Sequence, residues 1–83
     1  MQVTLKLFAS LTPFLPAGAA RNKAEVDVAE GTTIQGLLDA YNVPPEHCHL
    51  VLLNGVYFAP EDRGSKMLGQ GDQLAVWPPV AGG

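Results

Sequence analysis

The sequence predicts an α+β fold, a mixed sheet of about five strands with one main helix across one face. Three observations carry the prediction. Two stretches of period-2 alternation precede a single stretch of helical period, and short apolar runs bounded by turn residues follow it. The first and last runs, Val3 to Leu7 and Leu74 to Trp77, are apolar enough to lie side by side at the centre of a sheet. And 83 residues hold one domain, since a second would leave neither half enough core.

Residues 2–8 set Val3, Leu5 and Leu7 against Gln2, Thr4 and Lys6, a half-buried strand; Phe8 adds an apolar group to the second face. Residues 11–23 contain Pro13, Pro16, Gly18 and several alanines, which is loop chemistry, with Leu11, Phe14 and Leu15 expected as a satellite cluster beneath it. Residues 24–29 alternate again, Val26 and Val28 opposing Glu25 and Asp27. Gly31 ends that strand. Thr32 then reads as a helix N-cap, with Gln35 three residues on completing a capping box. Ile34, Leu37, Leu38 and Tyr41 fall on one face of a helix of about ten residues. Asn42 suits the left-handed residue that closes a helix, and Pro44-Pro45 forbid its continuation.

His49 to Leu53 is a short apolar strand, and Asn54-Gly55 is the strongest two-residue hairpin signal. Val56-Tyr57-Phe58 returns, kept brief by Pro60, which cannot donate to a ladder. Residues 59–72 are polar and turn-rich, with Met67 and Leu68 expected to anchor them. Gly71-Asp72 turns the chain into the last strand, Gln73 to Trp77, and Pro78-Pro79 end the pairing. The order strand, strand, helix, strand, strand, strand, with first and last strands parallel at the centre, is that of the β-grasp or ubiquitin-like architecture. Residues 1–77 form the domain, and residues 78–83 are expected to be an extended, flexible tail.

Composition excludes several functions. A hydrophobic content of 47% with 16% charged residues reads as globular. The net charge of −3 and scattered Lys6, Arg21, Lys23, Arg63 and Lys66 argue against nucleic-acid binding and favour a partner with a basic docking surface. Cys48 is alone, so no intramolecular disulfide and no four-cysteine cluster can form. No apolar run approaches the ~20 residues that span a bilayer. No signal-peptide pattern opens the chain, and a soluble cytoplasmic protein without membrane association is expected.

His47, Cys48 and His49 crowd together, yet consecutive residues point apart and no fourth ligand has a recognisable spacing, so no metal is expected. A Cys–His nucleophile would lack a third orienting group, and Cys48 reads better as a small hydrophobe at a strand start. Asp39, Glu46, Glu61, Asp62 and Asp72 read as solvated or turn positions, and the glycines form no phosphate-binding motif.

What remains is the ending, Pro78-Pro79-Val80-Ala81-Gly82-Gly83. Glycine has no Cβ to hinder approach and adopts any φ, so a two-glycine tip can thread a narrow channel. Pro78 and Pro79 favour a straight polyproline stem, which reduces the entropy lost on insertion into a partner. Six residues reach at most about 20 Å at roughly 3.3 Å each. Phe8, Tyr57, Phe58 and Trp77 are candidates for an apolar docking surface at the root of this tail. Trp77 is either the interface anchor or a filler of a thin core.

With Leu7-Phe8-Ala9, Leu53-Asn54-Gly55, Gly71-Asp72 and this ending, the whole chain resembles the sulfur-carrier (MoaD/ThiS) family, closest to its molybdopterin-synthase small-subunit branch. Trp77 stands where that branch usually has phenylalanine, and residues 11–23 make a longer first connection than is usual there. The resemblance implies that an E1-like adenylating enzyme uses ATP to adenylate the Gly83 carboxylate, and that a sulfur donor protein displaces AMP to leave a thiocarboxylate. Gly82 and Gly83 would be the reactive tip, with no permanently bound cofactor. Phe8, Phe58, Trp77, Pro78, Pro79, Val80 and Ala81 would bind partners, among them the large catalytic subunit of a molybdopterin-synthase-type enzyme. The same resemblance leaves open thiamine, tungsten-cofactor or amino-acid sulfuration, or a ubiquitin-like modifier attached through Gly83 to lysine.

Overall fold

The computed structural model describes residues 1–79. Five strands, β1 (Gln2–Leu7), β2 (Lys23–Asp27), β3 (Leu50–Leu53), β4 (Val56–Tyr57) and β5 (Gln73–Trp77), form one sheet in the order β2-β1-β5-β3-β4. β1 and β5 run parallel, Leu5 beside Leu74 and Leu7 beside Val76; every other neighbouring pair is antiparallel. The helix α1 (Ile34–Ala40) lies across one face. This is the β-grasp arrangement that the element order predicts.

The alternation in β1 and β5 decides what the helix meets. Leu5, Leu7, Leu74 and Val76 have no exposed surface, and neither do Ile34, Leu37 and Leu38 of α1. Val3, Val26, Val43, Val51 and Leu53 join the same core. Leu11 belongs there too. It is fully buried, carried by a 3-10 helix over Ala9–Phe14, with Phe14 and Leu15 packed against the core from outside. The expected loop with a satellite cluster is thus a helical turn feeding the main core, because a core this thin recruits every nearby apolar side chain.

Two local expectations shift. The cap of α1 is Thr33 rather than Thr32, its hydroxyl accepting from Gly36 N at 3.0 Å, and the helix spans seven residues rather than ten. Thr32 instead donates its hydroxyl to Ala29 O at 2.7 Å, closing the turn at Gly31. The residue 63–66 segment supplies the rest of the start: Ile34 N donates to Lys66 O and Gln35 N to Arg63 O. Gln35 therefore has no box to close, and its side-chain amide turns to Asp39 at 2.8 Å. At the other end Asn42 takes φ 61°, and Val43 N reaches back to Leu38 O at 3.0 Å, a Schellman closure with Val43 buried beneath it.

The β3–β4 hairpin turns at Asn54 (φ 51°) and Gly55 (φ 84°), the two positive values a type I′ turn needs. Asn54 also binds the turn before β5: its Nδ2 donates to Asp72 Oδ1, and Gln73 N donates to its Oδ1, both at 2.9 Å. Leu68 is buried as expected, but Met67 is 61% exposed and anchors nothing, since its backbone bridge to Thr33 leaves the side chain outward. Among the described residues no helix is long and apolar enough to cross a membrane.

Candidate functional site

Strand alternation gives the sheet a second, uncovered face. From β2 across to β1 that face is polar: Thr4 donates to Glu25 at 2.7 Å and Lys6 Nζ to Gln73 at 3.0 Å. From the end of β5 to β4 it is apolar. Leu50 pairs with Trp77, Leu52 with both Ala75 and Tyr57, and these side chains share the outer side of the sheet. At its corner Phe8 and Trp77 stack with ring centroids 4.4 Å apart and planes 1° from parallel. Both rings are half-buried and stand apart from the core cluster beneath the helix. Tyr57 is 53% exposed.

This corner is the root of the C-terminal segment. β5 is held to its last residue on both sides, by Phe8 N donating to Val76 O at 3.2 Å and His49 N donating to Trp77 O at 3.0 Å. Pro78 follows directly and is half-buried, and Pro79 is exposed. The rigid sheet thus delivers the chain beside the aromatic stack. Val80, Ala81, Gly82 and Gly83 lie outside the described residues.

Of the side chains expected at the docking surface, the structure brings Phe8, Trp77 and Tyr57 to one face. It does not bring Phe58 there: Phe58 N bonds Val51 O, and its ring packs against the helix-side core. Leu50, Leu52 and Ala75 complete the patch and escaped the sequence reading. Their signal was present, since Leu50 to Leu53 and Leu74 to Trp77 are unbroken apolar runs, the mark of strands with both faces dry or docked.

Arg63 also escaped it. The residue is 2% exposed, with Nε donating to Phe58 O at 3.0 Å and Nη1 to Cys48 O at 2.8 Å, while buried Nη2 has no partner among the described residues. It fastens the segment after β4 to the one before β3. Cys48 is buried beside it, its Sγ 3.4 Å from Pro44 O. Burial pushes the thiol up, against the pull of the Arg63 guanidinium, so it stays protonated at neutral pH and is a poor nucleophile. Among the described residues no three His, Cys, Asp or Glu side chains gather to hold a metal ion. The end of β5 thus brings together a partly exposed apolar patch and the root of the C-terminal segment.

Comparison with known proteins agrees with this architecture. The ThiS family model matches residues 5–83. The fold is similar to SAMP1 from Haloferax volcanii, with 29% identity, a TM-score of 0.69 and full coverage of both chains. A second structure, of H. volcanii small archaeal modifier protein 1, is 30% identical with a TM-score of 0.67, covering 95% of this chain and 98% of that one. The complex of subunits 1 and 2 of the molybdopterin-converting factor from Helicobacter pylori 26695 matches in fold, at 18% identity and a TM-score of 0.60 over 100% of each chain. No curated protein gives a match.

Proposed function

The chain belongs to the ThiS family of ubiquitin-like sulfur carriers, and on that footing we propose that it carries sulfur as a Gly83 thiocarboxylate for molybdopterin synthesis. The observation that carries the reading is the family match running through Gly82-Gly83, beyond a β5 strand whose end is pinned on both sides. An E1-like enzyme transfers AMP from ATP to the Gly83 carboxylate, releasing pyrophosphate. The terminal sulfur of a donor protein's persulfide then attacks the acyl carbon and AMP leaves, and a thiol cleaves the S–S bond of the resulting acyl disulfide to free the thiocarboxylate. The carrier contributes position only: unhindered glycines at the tip, a proline stem, and the Phe8–Trp77 corner with Leu50, Leu52 and Ala75 as the surface that seats it on a partner. The large subunit of a molybdopterin-synthase-type enzyme is the proposed acceptor. The likeness to a molybdopterin-converting factor complex supports that choice at the level of fold.

The test is the mass of the intact chain after incubation with ATP, an activating enzyme and a sulfur source. The expected result is exchange of one oxygen for sulfur on the C-terminal peptide, absent when Gly83 is deleted, with an unchanged melting temperature. No exchange in the wild-type chain would refute the reading. A second reading, attachment of Gly83 to protein lysines, is favoured by the higher identity to the archaeal modifier structures. Slower-migrating conjugates that vanish on deletion of Gly83 would establish it in place of the first.

A further inference from the structure

The sheet has a second unsatisfied feature, the outer edge of β2, which lies on the far side of β1 from the tail root. Met1 and Val28 exchange backbone bonds at 2.9 and 2.8 Å, which sets the phase of the β1–β2 ladder. In that phase Ala24 and Val26 bond to β1, while the N–H and C=O groups of Lys23, Glu25 and Asp27 point outward. Ala20 closes the first of these, exchanging bonds with Lys23 at 3.0 and 3.2 Å. Glu25 and Asp27 remain open, two donors and two acceptors in line.

Beside this open edge runs a furrow on the helix side. A cleft of about 520 Å³ lies between the Pro16–Ala20 loop, β2 and Tyr41. It adjoins one of about 410 Å³ bordered by Val28, Gly36, Leu37 and Ala40, and both include Asp27 and Tyr41. Along it the small apolar side chains of Ala19, Ala24, Val26 and Ala40 stand among polar groups, Thr32 and the ends of Lys23 and Asp27 included, which leaves room for short aliphatic side chains from an added strand.

We propose that this edge takes an extended peptide of a partner protein as a sixth strand, its apolar residues in the furrow and its alternate residues Lys or Arg. Charge complementarity selects the cations: residues opposite Glu25 and Asp27 stand beside two carboxylates on the outer face, where opposite charges stabilise a cross-strand pair. Thr4 occupies one oxygen of Glu25 at 2.7 Å, and the other is available. A second copy is the poorer occupant. Its own open positions are again Glu25 and Asp27, so every bonded pair would set carboxylate against carboxylate. The chain's Pro78 to Gly83 segment is poorer still, with no cation and two residues lacking an N–H.

The test titrates the ¹⁵N-labelled full chain with a synthetic peptide of about nine residues alternating valine and arginine, enough to span the edge. Glu25 and Asp27 amide hydrogens should exchange at least about tenfold more slowly at saturation, while the Val26 amide is already protected. Glu25→Pro removes one outward N–H without touching the β1 ladder and should weaken binding about tenfold. Should that variant fold poorly, E25K/D27K tests the charge alone: it should lose the valine–arginine peptide and gain a valine–glutamate one. Absence of binding, binding that shifts Phe8 and Trp77 instead, indifference to both variants, or peptide-independent self-association through Glu25 and Asp27 would each overturn the proposal.

Discussion

The two faces of the same sheet are built from alternate residues of the same strands and have opposite fates. On the helix side Leu5, Leu7, Leu74 and Val76 are fully buried and meet Ile34, Leu37 and Leu38. On the other side Phe8, Trp77, Leu50 and Leu52 are apolar yet keep part of their surface in water. One helix can cover only one face, so burial that stabilises the fold is confined to a single layer. Apolar residues on the uncovered layer, still partly in water, bury a smaller share of their surface and contribute less to folding. Their concentration at the end of β5 stands against a polar remainder held by Thr4–Glu25 and Lys6–Gln73, and the proposed docking surface rests on that contrast.

The contrast breaks most visibly in the core. Leu74→Ala should cost about 2–5 kcal/mol, a large part of the ~5–15 kcal/mol expected of a domain, read by urea denaturation. A loss under about 1 kcal/mol would mean the helix side is not where stability resides. Trp77→Ala removes a half-buried ring and its stack with Phe8, the stack alone worth about 0.5–1.5 kcal/mol, and should slow sulfur loading far more than the stability loss accounts for. Thr33→Ala should cost about 1 kcal/mol in helix stability and Thr32→Ala less, placing the cap by denaturation of the two variants side by side.

The smallest effect is at Asp72. The Asn54 amide and the Gly69 N–H, at 2.9 and 2.7 Å, hold its carboxyl below the ordinary carboxylate value. A depressed folded-state pKa stabilises above the unfolded value, and that contribution is lost as pH falls through the folded one. Asp72→Asn should therefore melt below wild type at neutral pH and converge with it on acidification; a gap that widens in acid would reverse the assignment.

Much of this was legible in the residues because the signals were local. Val3, Leu5 and Leu7 alternate, Asn54-Gly55 admits few turns, and Ile34, Leu37 and Leu38 share a helical face. What escaped depends on distant partners. Either Thr32 or Thr33 can cap a helix, and the choice fell to Lys66 and Arg63 carbonyls some thirty residues away. Burial of Arg63 follows from carbonyls of Cys48 and Phe58 that no sequence pattern announces. Phe8 and Trp77 were legible as aromatics, but their stacking depends on the parallel register of β1 with β5.

The most direct trial of one face for folding and the other for docking is Ala75→Glu. Ala75 lies on the open face between Lys6 and Leu52, so the new carboxylate enters water beside a cation and leaves the core untouched. The account predicts stability within about 0.5 kcal/mol of wild type. It also predicts an initial rate of sulfur loading, followed by intact mass, lower by about tenfold. Loading at the wild-type rate in a normally folded variant would contradict it.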